Sequence, residues 1–314
     1  QYLWHFYFES LLPVTYPGGV NNTAREISIY IKIVYVPCMD KKHLNVVFPQ
    51  WQGNTEKSPF FGAAEFKLLY LAGRQIAEVG VSDFDDLPLE AGITGRAGIL
   101  RQLKAAFSFV EQKRPKTLFF VGGGCDAGVV PASYLNNAYN GDLAFIWFDA
   151  HGDLNTPETS PSGMFCGMPL RALMGEGDRE IVEILSRPFS PSQLVLAGVR
   201  TTDRAEAEFI ARHSIPLIDV QTLKNGPEKL VQAVRRTGHE NIFIHIDFDV
   251  LDPEDFPNTR FLEPGGISPR DLLNAVRALH SEFNLKGLGV YEYAESGGEK
   301  RAWIEELVEI GVSL

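Results

Sequence analysis

From residue 43 onward, short apolar runs alternate with stretches of helical pattern. HLNVVFP, TLFFVGGG, AFIWFDA, LVLAGVR, IPLIDV, IFIHIDFDV and GLGVYEYA are interleaved with AAEFKLLYLAGRQIAEVG, ILRQLKAAFSFVEQK, AEAEFIARH, LVQAVRRTG and PRDLLNAVRALHSEF. Strands separated by helices pair in parallel, because each crossover returns the chain to the same edge, and the helices cover both faces of the sheet. The strand segments are apolar almost throughout, as strands buried on both faces must be. The expected fold is therefore α/β, three layers deep, around a mainly parallel sheet. No repeat or Pro-rich linker divides residues 39–314, which are expected to form a single domain.

Chemistry in such sheets gathers at the carboxyl ends of the strands. The Gly-rich and acidic segments fall there: GGGCDAG after TLFFV, DAHGD after FIWF, DFDVLDP after IFIHI, and YEYAESGG after GLGV. Side chains at i, i+2 and i+4 share one side of a strand, so alternation is expected to aim Asp149, His151 and Asp153, with Asp247 and Asp249, at one spot. Carboxylates crowded there repel, and either their pKa values rise or cations neutralise them. The donors suffice for two divalent ions sharing carboxylates, a pair suited to activating a water. Read singly, each Asp-x-Asp is equally a solvated strand end or a helix N-cap; two of them, each after an apolar run, favour a metal site.

The net charge of -11 argues against a nucleic acid or an anionic membrane as partner. The longest apolar runs are too short to span a bilayer as a helix. A small-molecule enzyme fits better. Cys38, Cys125 and Cys166 are odd in number and widely spaced, which gives no disulfide framework and leads to the expectation of a reducing, cytoplasmic setting. Residues 1–38 are rich in aromatics and lack the pattern of a secretory signal. They read either as a segment appended upstream of a domain beginning near Met39 or as an extra hairpin turning at YPGGVNN.

Three motifs in order, GGGCDAG, then DAHGDLNTP with SGMFCGMP, then DFDVLDP with EPGGIS, resemble those of the arginase-type ureohydrolases, over most of residues 43–314. The resemblance implies a sheet of about eight strands and a binuclear site in which Asp149 and Asp247 bridge two Mn²⁺ ions, with Asp153 on one and His151 and Asp249 on the other. The remaining family ligand is a His, and Cys125 holds its position. Glu292 falls where the family pairs a carboxylate with the substrate guanidinium. Asn155 and Ser162 match positions that receive an α-carboxylate, and Asp203 and Glu206 match the region that recognises an α-amino group. The resemblance also implies assembly into a trimer or hexamer. The expected activity is hydrolysis of a guanidino C–N bond in an arginine-like substrate, giving urea or a urea analogue plus an amine. N-hydroxyarginine or another guanidino acid is an alternative substrate.

Several positions depart from that pattern. A thiolate at Cys125 suits Zn²⁺ or another softer ion such as Co²⁺ better than Mn²⁺, and some amidinohydrolases acting on modified arginines resemble this chain in placing Cys there. Gly124 stands where the family commonly has Asp, with Asp126 following instead. Cys166 takes the place of a His that ferries protons to the leaving amine, and Met164 replaces a polar side chain. His245 shares the strand face of Asp247 and Asp249, which leaves it as a partner behind the ligands or a spare ligand, with a hydrogen-bonded core residue the favoured expectation. These changes leave open a second reading, a family member that binds metal without catalysis.

Overall fold

The computed structural model describes residues 43–82 and 86–314. The N-terminal segment, residues 1–38, and Met39 lie outside the described residues. Eight strands form one sheet: β1 (His43–Phe48), β2 (Ala77–Glu78), β3 (Thr117–Gly122), β4 (Ala144–Phe148), β5 (Leu194–Ala197), β6 (Leu217–Ile218), β7 (Asn241–Asp247) and β8 (Asn284–Tyr291). Their spatial order is β2-β1-β3-β8-β7-β4-β5-β6, and every neighbouring pair is parallel. The expected three-layer α/β fold is the one observed.

Within a strand, alternate side chains feed two cores. Ile146 and Phe148 of β4 pack into one cluster with Ile244, Ile246, Val290 and Phe66, while Phe145 and Trp147 join Phe120, Phe243, Ile99 and Leu103 on the other face. The first cluster is closed by helices α1 (Ser58–Tyr70), α8 (Glu228–Arg236), α9 (Pro269–Glu282) and α10 (Ala302–Val312). The second is closed by α2 (Arg96–Lys113), α3 (Val129–Ala138), α4 (Pro169–Leu173), α5 (Arg179–Ile184) and α6 (Arg204–His213). A last short helix, α7 (Val220–Lys224), follows β6. Among the described residues no helix is long and apolar enough to cross a membrane.

Two expectations need correction. AAEFKLLYLAGRQIAEVG is not one helix: α1 stops at Tyr70, Gly73 turns the chain at φ 77°, and Ala77 and Glu78 pair with Val46 and Val47 as an edge strand. Strand alternation also does not aim the acidic clusters. β4 ends at Phe148 and β7 at Asp247, so Asp149, His151, Asp153 and Asp249 all project from the loops that follow.

Candidate metal centre and active site

The register of the four central strands builds the site. Val290 pairs with Val121, Tyr291 with Asp247, and Ile246 with Phe148, so β3, β8, β7 and β4 end side by side. The loops leaving those ends carry Cys125, Glu292, Asp247 with Asp249, and Asp149 through Asp153. Backbone amides then fix the carboxylates. Asp247 accepts from the Asp249 amide at 2.7 Å, which opens a single 3-10 turn over Phe248–Val250. Asp249 accepts from the Ala150 amide at 2.8 Å and so ties the β7 loop to the β4 loop. Asp149 accepts from the His151 amide at 2.6 Å through Oδ1 and from Trp147 Nε1 at 3.0 Å through Oδ2. Asp153 and Glu292 sit at φ 52° and 60°, a region that side-chain-bearing residues seldom occupy and that the surrounding structure must enforce.

Three sets of donor atoms lie within 4.8 Å of one another: Cys125, Asp149 and His245; Cys125, Asp247 and Glu292; and Asp149, His151 and Asp249. Asp153 stands outside these sets but is buried, and its Oδ2 has no hydrogen-bond partner among the described residues. Burial, reinforced by Asp249, pushes Asp149 up to about 6. Burial followed by the charge of Asp149 holds Asp153 well above the carboxylate range, and Asp247 is raised by burial, Asp249 and Asp149. Burial opposes a charged His151, yet its hydrogen bonds to Asp149 and Asp249 outweigh that and hold the ring protonated well above the imidazole range; Nδ1 lies 2.8 Å from Asp249 Oδ2. The Cys125 thiol is raised by burial and then by Asp247 and Asp149. Oxygen, nitrogen and sulfur donors converging in a pocket too acidic to ionise unaided fit divalent cations.

A cavity of about 230 Å³ opens onto these groups, and Asn155, Ser162, Cys166, Asp203, Glu206 and Glu292 all border it. The structure thus gathers every predicted site residue around one pocket, with Asp149 and Asp249 behind its floor. Some of them have structural duties as well. Asp203 and Glu206 form the capping box of α6, and Glu206 also accepts from the Leu154 amide at 3.0 Å, so both of its oxygens are engaged by backbone. Asp203 Oδ2 accepts from Asn155 Nδ2 at 2.7 Å. Ser162 Oγ accepts from the Met164 amide at 3.2 Å. Burial, then Glu292, raises the Cys166 thiol well above its usual value.

Comparison with known proteins decides the family: the arginase family model matches residues 61–301. The chain belongs to the arginase family. It is 36% identical over 177 residues to an arginase of Staphylococcus aureus, an alignment that covers 55% of this chain and 58% of that protein. It is 28% identical over 257 residues to the arginase of Bacillus subtilis, covering 77% of this chain and 86% of the relative. The crystal structure of Entamoeba histolytica arginase in complex with L-ornithine superposes with a TM-score of 0.75 at 22% identity, over 86% of this chain and 96% of that one.

Against the family pattern, four features of the site stand out. A side chain at Gly124, where the family carries Asp, would place its Cβ 2.3 Å from Asn54 Nδ2 and 2.5 Å from Asp126 Oδ1. The Asp126 carboxylate therefore fills the space vacated at 124, and burial followed by Glu292 holds it well above the usual range. Asn54 was missed altogether: its Nδ2 donates to Glu292 Oε1 at 2.8 Å, from a loop at the carboxyl end of β1 where strand-end position was the available signal. Trp147 was legible in principle, standing two residues before Asp149 with a donor that a buried carboxylate needs. His245 is buried and hydrogen-bonded, as expected, but to sulfur: Nε2 lies 3.2 Å from Cys125 Sγ, while Nδ1 has no partner among the described residues.

Proposed function

We propose that the chain is a metal-dependent amidinohydrolase that cleaves a guanidino C–N bond of an arginine-like substrate, giving urea or a urea analogue plus an amine. One observation carries this reading. Glu292 Oε1 is engaged by Asn54 Nδ2 at 2.8 Å and by the Cys125 amide at 2.9 Å, while Oε2 is buried without a partner among the described residues, beside the cavity. A buried carboxylate oxygen left open against a bank of aspartates suits a planar cation that donates N–H bonds to it. Burial pushes Glu292 up to about 7, and an arriving guanidinium supplies the charge that favours its ionised form.

Asp149, Asp153, His151, Asp247 and Asp249, with Cys125, would hold two divalent ions. When bound, such ions supply the Lewis acidity that makes water a competent nucleophile near neutral pH. The chain's own residues do the rest. Glu292 orients the substrate cation, and the tie from Asn54 keeps its carboxylate in one plane. Asp153, buried with Oδ2 unpartnered among the described residues, is placed to take or hold a proton at that atom. Asn155, Ser162 and Asp203 line the cavity and would receive the polar end of an amino acid. Cys166 keeps its proton, so it passes one to a leaving amine less readily than an imidazole near pH 7 would. Trimeric or hexameric assembly belongs to the same reading and is checked by light scattering.

The test is to measure bound metal, then urea release from arginine, agmatine and N-hydroxyarginine, in protein reloaded with Mn²⁺, Co²⁺ or Zn²⁺. Release from at least one substrate, lost in Glu292→Gln, supports the reading. Two equivalents of metal with no turnover of any substrate favours a non-catalytic metal-binding protein instead.

A further inference from the structure

We infer that His245 is a metal ligand, and that it forms with Cys125 and Asp149 a mixed sulfur, nitrogen and oxygen site that selects Zn²⁺ over Mn²⁺. The inference rests on the metal-dependent reading above and deepens it by naming the donors and the ion.

The donor separations come first. Cys125 Sγ lies 3.2 Å from His245 Nε2, 3.1 Å from Asp247 Oδ2 and 3.7 Å from Asp149 Oδ2. Ligands at about 2.3 Å for sulfur and about 2.0–2.2 Å for nitrogen and oxygen stand roughly 3.5 Å apart around a tetrahedral ion. The 3.2 Å and 3.7 Å separations to His245 and Asp149 bracket that value, and the three donor atoms all lie within 4.8 Å of one another.

The imidazole is held in place by stacking rather than by a hydrogen bond from Nδ1, which has no partner among the described residues. Its ring is stacked between Trp147, at 3.3 Å and 5°, and Tyr291, at 4.0 Å and 12°. Gly289 permits this, because a Cβ there would lie 2.2 Å from Tyr291 Oη, which folds back over the strand. Sandwiched in this way the ring cannot turn, and Nε2 faces the thiol. A core histidine retained for hydrogen bonding would find an oxygen for at least one nitrogen; here the only partner among the described residues is the sulfur.

A cation explains the arrangement better than a nucleophilic Cys–His pair. A bare thiolate would face Asp149 and Asp247 at 3.7 Å and 3.1 Å, and like charges oppose its formation. A dication reverses that balance: the thiol proton leaves to solvent, and sulfur, imidazole and carboxylates share the positive charge. One thiolate and one imidazole among the donors move preference away from hard Mn²⁺ toward Zn²⁺.

The experiment loads the full-length, metal-stripped protein with one equivalent of Zn²⁺ and records X-ray absorption. The expected shell holds one sulfur and one imidazole. His245→Phe keeps an aromatic ring in the stack but removes the nitrogen; it should lose the imidazole signal and weaken Zn²⁺ binding by more than about 100-fold, beyond the loss caused by removing a mere neighbour of a ligand. A zinc shell without sulfur or without imidazole in the unmutated protein overturns the inference, as does a smaller loss in the variant. If His245→Phe does not fold, the spectrum of His151→Asn decides the question, because an imidazole signal supplied by His245 survives that change. Because the readout is coordination, a correct shell with no urea release counts for the site and against only the hydrolytic reading.

Discussion

In the metal-free protein, Asp149→Asn should stabilise the fold above pH 6, although it removes a metal ligand. Burial first, and the charge of Asp249 next, push Asp149 from its ordinary 3.8 up to about 6. Two pH units at about 1.36 kcal/mol each make roughly 3 kcal/mol of differential stability. The folded state binds this proton more tightly than the unfolded chain, so protonation stabilises fully below about pH 3.8, and the benefit is lost as pH rises through 6. Asparagine is neutral throughout. It turns an amide donor toward either Trp147 Nε1 or the His151 amide, which now donate to the two carboxylate oxygens, at a pH-independent cost of about 1 kcal/mol. Urea unfolding with a chelator present, run at pH 3.5 and 7.5, should show the variant gaining about 3 kcal/mol relative to the unmutated protein between the two conditions. Saturating metal should reverse the order at pH 7.5, since ligand at about 100 times its Kd adds some 2.7 kcal/mol to the protein that binds it. A stability difference that does not change with pH would refute the claim that charge crowding dominates this pocket.

Glu292→Gln keeps the bonds from Asn54 and the Cys125 amide but removes the charge, and should lower kcat/KM by at least about 10-fold with an unchanged melting temperature. Because burial raises Glu292 to about 7, guanidinium should bind the metal-free protein about 10-fold more tightly at pH 8 than at pH 6 by calorimetry, with enthalpies corrected for buffer ionisation. Cys166→His, placing an imidazole where burial keeps a thiol protonated, should raise kcat near pH 7, measured as urea release. Gly124→Ala drives a methyl into Asn54 and Asp126 and should cost about 1–3 kcal/mol in chemical denaturation while loosening the hold on Glu292.

Periodicity and motif order encode most of the plan of this protein. Apolar runs interrupted by helical stretches specify a parallel sheet, because strands buried on both faces leave no polar alternation to mislead. The acidic motifs can be placed at strand ends for the same reason, and all of the predicted site residues border one pocket or lie behind its floor. Residues 71–80 mislead because the edge strand Ala77–Glu78 is two residues long and is defined by pairing with β1, an interaction its own sequence does not encode.

What tertiary structure alone decided is how the donors meet. Cys125, Asp149, His245 and Glu292 are distant in sequence, and only the order β3-β8-β7-β4 sets their loops side by side. Alternation along a strand predicted a shared direction for the aspartates, whereas backbone amides in the loops beyond the strands fix each carboxylate. The role of His245 depends on rings from two neighbouring strands clamping it against a thiol from a third loop. Sequence determines which side chains are apolar, which are charged and how often each recurs; whether a buried imidazole meets a sulfur at 3.2 Å is set by strand register and ring packing, which exist only once the sheet has closed.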